Sequence, residues 1–308
     1  MRERLASPRT REPDRRAPSR CEFLTVRGLR YNLRKWGRED ARPILFLHGT
    51  QDSSITFQFV VDALRQDWTV FAPDWRGHGH SEWTRQGYWF HEVLADLDAI
   101  VDALFPRERV PLVGHSLGGN VASVYAGLKS DRLTHLVSLD GFGPLTNRVP
   151  VDVVSLLSGL LAIRVDVREH ARYASLDEAA ARLLRKNSRL NLLDARFLAE
   201  HLTREDGCEG RRWRFDPTHQ IALPTLHSMA EWGVAWSGIR VPALWVASDD
   251  RRPSSPNAVP GEIDRRAALM PHVTCVSIPG ASHNLHHDEP GRVAELVERF
   301  LDDPTCVA

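Results

Sequence analysis

Lysine is nearly missing from this chain: of 40 basic side chains in 308 residues, Lys stands only at positions 35, 129 and 186. The 40 acidic groups leave no net charge. Nucleic acid is therefore not expected as the main partner, because phosphate affinity needs a clustered excess of positive charge. Cysteine is scarce as well. Cys21, Cys208, Cys275 and Cys306 are scattered, without a CxxC pair or metal-ligand spacing. They read as free thiols in a reducing compartment, so a cytoplasmic location is expected. Long apolar runs are also lacking. The longest stretch, Val153 to Val165, is interrupted by Arg164 and holds two Ser and a Gly, too short to cross a bilayer. The N-terminal residues have no apolar h-region, so a secretory signal is not expected.

What is present is ordinary globular material, 42% hydrophobic and 26% charged. The length suits two domains or one large α/β unit carrying an insertion. Residues 1–20, with seven Arg and three Pro, cannot bury enough surface to order themselves and are expected to be a disordered leader. From Cys21 strands and helices alternate. A hairpin over 22–26 and 31–36 is followed by a strand at 43–47, a helix over 54–66, a strand at 68–72 and a helix over 90–105. Then come a strand at 110–113, a helix at 117–128 and a strand at 133–139. This rhythm predicts a mostly parallel, doubly wound sheet covered on both faces. It breaks near Gly143. Residues 144–237 read as helices only, at 152–163, 175–186 and 192–202, with Ser175 and Glu178 forming a capping-box signal. It resumes with a strand at 241–246, a helix near 263–269, a strand at 273–278 and a helix at 293–301. The expected organisation is thus an α/β core over 21–143 and 238–308, interrupted by a helical cap over 144–237.

In an open α/β sheet, ligands bind beyond the carboxyl ends of the strands. Gly114-His-Ser116-Leu-Gly118 falls at such an end, between a strand and a helix, the context a nucleophile elbow demands. Ser116 would take a strained backbone there, and the flanking glycines would admit close neighbours. The chain resembles the α/β-hydrolase superfamily over about Glu22 to Asp303. Phe46-Leu-His48-Gly49-Thr50 is similar to its oxyanion segment, and Pro73 to Ser81 (PDWRGHGHS) to its D-x-R-G-x-G-x-S stretch. Pro279-Gly-Ala-Ser-His283 is similar to the loop bearing its catalytic histidine. The resemblance implies Ser116 as nucleophile, His283 as base, and the N–H groups of Thr50 and Leu117 as oxyanion donors. For the acid it implies first Asp250, in Val246-Ala-Ser-Asp-Asp250-Arg-Arg-Pro253, with Ala247 in place of the usual Gly. Asp140, ending the strand before the cap, is the alternative, and Asp249 a third possibility.

A serine hydroxyl needs a base to become a nucleophile, and a carboxylate fixes that base's tautomer. The expected activity is hydrolysis of a carboxylic ester, lactone or thioester of a small molecule through an acyl-enzyme on Ser116. The rivals are a carbon–carbon hydrolase of the meta-cleavage type and a hydrolase-fold ligand receptor with little turnover. No cofactor and no metal are expected: His286 and His287, even with His78 and His80, find no carboxylate or thiolate at ligand spacing, and read as polar residues at the rim of the site or behind the residues that line it. His115 reads as packing at the elbow, and Asp74 and Arg76 as a pair bracing their loop. Trp213, Phe215, Trp232 and Trp236 could wall a substrate site or simply pack; no role is assigned to them. The stretch 153–163 could line an acyl pocket or pack on the core. Oligomeric state is not legible.

Overall fold

The computed structural model of the chain describes residues 16–84, 87–144, 169–207, 210–220, 229–249 and 255–307. The expected helix at 152–163, Cys208 and Asp250 lie outside them. An eight-stranded sheet runs in the order β1-β2-β4-β3-β5-β6-β9-β10. Its strands are β1 (Ser19–Val26), β2 (Leu29–Trp36), β3 (Arg42–Leu47), β4 (Trp68–Pro73), β5 (Val110–His115), β6 (Leu133–Leu139), β9 (Ala243–Ala247) and β10 (Val273–Ser277). The β1–β2 hairpin pairs antiparallel with itself and with β4, and the remaining neighbours are parallel.

Alternation along the buried strands sends side chains to two cores. Ile44, Phe46, Val113, Val137, Leu139, Leu244 and Val246 face one, and Leu45, Leu47, Leu112, Leu136 and Trp245 face the other. The first face is covered by α7 (Pro290–Asp302) through Val293, Val297 and Phe300. The second is covered by α2 (Phe90–Leu104) and α3 (Leu117–Leu128), through Leu97, Ile100, Val121 and Ala122. Each large aliphatic or aromatic side chain so buried contributes about 1.5–3 kcal/mol. Period two with apolar residues on both faces is why these strands read as solid hydrophobic runs.

Several expectations need adjustment. Residues before Cys21 already make contacts: Arg16 pairs with Asp194 at 2.9 Å and lies over the Phe197 ring, and the Ala17 N–H donates to Asp62. The helix expected over 54–66 is a 3-10 turn, Ser54–Phe57, and one α-turn, α1 (Gln58–Val61). It stops because the Glu298 carboxylate accepts from the N–H groups of Arg65 and Gln66. Between β6 and β9 the described segments hold α4 (Leu176–Lys186), α5 (Leu192–Leu202) and α6 (Met229–Ser237). They also hold a small hairpin, β7 (Thr203–Glu205) with β8 (Arg211–Trp213), so this insertion is not helical throughout. Thr203 ends α5 by turning its hydroxyl back onto the Ala199 carbonyl, and three-residue strands are too short to show a pattern in sequence. The Ser175 cap is as expected, accepting from the Glu178 N–H, while the Glu178 carboxylate accepts from Ala174. Trp232 and Trp236 belong to the core, with Trp236 Nε1 donating to Ser123. Among the described residues no helix is long and apolar enough to cross a membrane.

Candidate active site

The carboxyl ends of β3, β5, β6 and β9, and the loop after β10, carry the residues that the sequence singles out. Ser116 joins β5 to α3 with φ 51° and ψ −113°, a conformation that side chains rarely adopt. Neighbouring backbone holds it there. The Ser116 N–H donates to the Leu139 carbonyl and its carbonyl accepts from Asn120, both at 2.9 Å. A Cβ on Gly114 would sit 2.4 Å from the Gly118 carbonyl, and one on Gly118 would sit 2.0 Å from the Leu47 oxygen. Both positions must be glycine for strand, elbow and helix to close. Three of the five described non-glycine residues with positive φ lie here, Gln51, Ser116 and Asp140. Such strain costs on the order of 1–3 kcal/mol per residue and gathers at functional sites.

His283 lies between Ser116 and Asp140. Its Nε2 is 3.0 Å from Ser116 Oγ, and its Nδ1 is 2.6 Å from Asp140 Oδ2. A carboxylate only accepts, so Nδ1 carries the proton and Nε2 presents a lone pair to the hydroxyl. Asp140 is buried and accepts three further hydrogen bonds. Ser248 gives its N–H to Oδ1 and its hydroxyl to Oδ2, and the Asn257 amide gives one to Oδ1, all at 2.9 Å. Each oxygen thus receives two donors.

Of the other candidate acids, Asp249 accepts from the Gly280 N–H, while its own N–H donates to the Ala281 carbonyl. It braces the histidine loop. Asp250, the first choice from sequence, lies outside the described residues. Asp288 holds the same loop from the other side, accepting from Ser282 N and from the Asn187 amide. Sequence reasoning missed Ser248, Asn257 and Asp288, because nothing local marks a residue that serves a distant side chain.

The two residues expected to supply oxyanion donors are Leu117, next to the nucleophile, and Thr50, next to Gly49. Leu117 opens α3, where an N–H has no intrahelical acceptor. Thr50 follows Gly49, whose missing Cβ would otherwise lie 3.2 Å from the Cβ of Ser116. His48 orients this segment. Its Nε2 accepts from the Trp75 N–H at 2.9 Å, so its Nδ1 is the protonated nitrogen and donates to the Gly49 carbonyl at 2.7 Å. In a trans peptide the Thr50 N–H then points the opposite way from that carbonyl. Burial pushes the His48 pKa down to about 4, which keeps this tautomer neutral.

Asp74 and Arg76 both brace their loop, but not as a pair. Asp74 accepts from Ser54 N, Asn32 Nδ2 and His80 N. Arg76 instead clamps Asp96 with Nε and Nη2 at 2.5 and 2.7 Å. His115 packs at the elbow as expected, and its Nε2 donates to the His283 carbonyl at 2.9 Å. His286 is not a rim residue: it is fully buried, its ring 4.2 Å from that of His115. The carboxylate that sequence spacing did not supply to these histidines is Asp52, which joins His115 and His286 but neither His78 nor His80. Burial raises the Asp52 pKa to about 7.

The chain belongs to the α/β-hydrolase fold family, whose model matches residues 42–290. Among its relatives is a serine hydrolase-like protein of Danio rerio, 32% identical, the alignment spanning 86% of this chain and 83% of that protein. A 2-(acetamidomethylene)succinate hydrolase of Mesorhizobium japonicum is 24% identical over 84% of this chain and 87% of its own. Among solved structures, the thioesterase domain from the curacin biosynthetic pathway superposes with a TM-score of 0.81 at 25% identity, covering 92% of this chain and 99% of that one.

Proposed function

We propose that this protein hydrolyses a carboxylic ester or thioester of a small molecule through an acyl-enzyme on Ser116. The observation that carries the reading is the hydrogen-bonded row from Ser116 Oγ through His283 to Asp140, set on a positive-φ elbow. The likeness to a thioesterase domain and to a serine hydrolase-like protein supports the same chemistry.

In this reading His283 Nε2 takes the Ser116 proton as Oγ attacks the carbonyl carbon. The oxygen that gains charge accepts from the N–H groups of Thr50 and Leu117, each such donor being worth about 3–4 kcal/mol. The imidazolium returns its proton to the departing alkoxide or thiolate, leaving the acyl group on Ser116. A water deprotonated by the same nitrogen then releases the acid. Asp140 accepts from His283 Nδ1 throughout, holding the imidazole in its working tautomer. We assign the acid role to Asp140 rather than Asp250, because His283 Nδ1 already donates to it. A serine nucleophile fits acyl transfer, since it leaves an ester that water can cleave at the acyl carbon.

The test is incubation with a fluorophosphonate, with the adduct located by peptide mass spectrometry and a short-chain aryl ester assayed in parallel. Label on Ser116 with steady ester turnover is the expected result. Label with no ester turnover, together with activity on a vinylogous 1,5-diketone, would replace the ester reading by carbon–carbon hydrolysis.

A further inference from the structure

Beside the elbow, the imidazoles of His115 and His286 pack against each other, ring centroids 4.2 Å apart. His115 and His286 are 3% and 0% exposed, and the Nδ1 atom of each is buried without a hydrogen-bond partner. Buried polar atoms in native proteins are almost always satisfied, so two orphans pointing into one space call for an explanation. For His115 the chemistry is forced. Its Nε2 lies on a carbonyl, which can only accept, so Nε2 bears the proton and Nδ1 is a bare lone pair. His286 has its Nε2 2.8 Å from Thr56 Oγ1, a hydroxyl that can donate or accept.

Asp52 completes the group: one donor atom from each of Asp52, His115 and His286 lies within 4.8 Å of the others. Gly49 keeps the space open, since a Cβ there would lie 2.9 Å from His115 Nδ1. Each imidazole thus has its Nε2 on a protein group while its Nδ1 makes no hydrogen bond. That is the arrangement in which metal-ligating histidines are held.

We propose that Asp52, His115 and His286 form a binding site for one divalent transition-metal ion of the zinc, cobalt, nickel or copper class. Two nitrogens and one carboxylate oxygen suit these ions and not magnesium or calcium, which take all-oxygen shells. An ion at roughly 2.0–2.1 Å from each donor needs about 3.4 Å between donors in a tetrahedral site, so the group closes by up to about 1.4 Å on binding. Asp52 makes that movement most easily, being less buried than the two rings. The three ligands come from three segments of the candidate active site: Asp52 two residues after Thr50, His115 at the end of β5 beside Ser116, and His286 in the short helix Leu285–Asp288, three residues after His283. The site is independent of the reaction proposed above.

The experiment is calorimetric titration of tag-free, chelator-treated and dialysed protein with Zn²⁺ and with Co²⁺, using Mg²⁺ as the class control. One equivalent of zinc or cobalt should bind, with a cobalt ligand-field spectrum, and magnesium should give no heat. Asp52→Asn and His286→Gln should each weaken zinc by about 10- to 100-fold, the range that loss even of an outer-shell partner costs. His91→Gln, at an exposed histidine, should not. Unaltered zinc binding in both site variants would overturn the proposal, as would its absence in the folded wild type. Thermal denaturation and circular dichroism check that each variant is folded, and Asp52→Asn alone decides the matter if His286→Gln is not.

Discussion

Replacing Asp140 by Asn separates the two candidate acids. The carboxylate accepts from four donors, the Ser248 N–H and hydroxyl, the Asn257 amide and His283 Nδ1–H. An amide has one accepting oxygen, so its NH₂ must face groups that now only donate to that position. The least costly relief is for His283 to move its proton to Nε2 and accept from the amide at Nδ1. Nε2 can then no longer take the Ser116 proton. Asn tolerates the positive φ of position 140, so the backbone should persist. The expected loss in kcat is about 10⁴-fold, or about 5.5 kcal/mol of transition-state stabilisation. Asp250→Asn should stay within a few-fold of wild type. The assay is steady-state hydrolysis of an aryl ester, with thermal denaturation to confirm folding. A large loss in Asp250→Asn beside a small one in Asp140→Asn would refute the assignment.

Four further outcomes can be checked. Ser116→Ala should lower kcat by about 10⁴-fold or more while the melting temperature stays near wild type, and near-normal activity would remove the nucleophile. His48→Phe, which frees the Gly49 carbonyl, should cost roughly 10²–10³ in kcat, the scale of one oxyanion donor, with little change in KM. An unchanged kcat would mean that the Thr50 peptide is oriented without it. Gly118→Ala would place a Cβ 2.0 Å from the Leu47 oxygen, so overpacking should cost about 1–3 kcal/mol or more in urea denaturation. Burial holds His48 and His219 down to about 4 and His78 well below the usual imidazole value, so all three are neutral in the folded protein. The unfolded chain binds more protons than the folded one below pH 6.5, so their stabilising contribution is complete above 6.5 and is lost as pH falls toward 4. Each adds a slope of about 1.4 kcal/mol per pH unit within that window, and urea midpoints that do not move between pH 7 and 5 would contradict it.

Much of the core was legible because local pattern and tertiary role coincide there. β6 and α3 fall on the residues expected, since a run buried on both faces and a glycine-flanked elbow leave little freedom in where strand and helix meet. The acid was not legible for a geometric reason. β6 and β9 are adjacent parallel strands, and each is followed by aspartate at its carboxyl end, so either could reach His283. Gly141 was the available signal: a Cβ there would come 2.6 Å from the Ser116 carbonyl, which marks the Asp140-Gly141 turn as packed against the elbow. The donors that hold Asp140, and the meeting of Asp52 with His115 and His286, join loops far apart in sequence. No periodicity reports such contacts.

The central claim is the covalent step on Ser116. Wild-type protein mixed with a short-chain aryl ester, quenched in acid within the first turnovers and weighed intact, should gain the mass of one acyl group. Peptide mapping should place it on Ser116, and Ser116→Ala should gain nothing. Ester turnover with no acyl adduct at any quench time, or an adduct on another residue, would contradict the account.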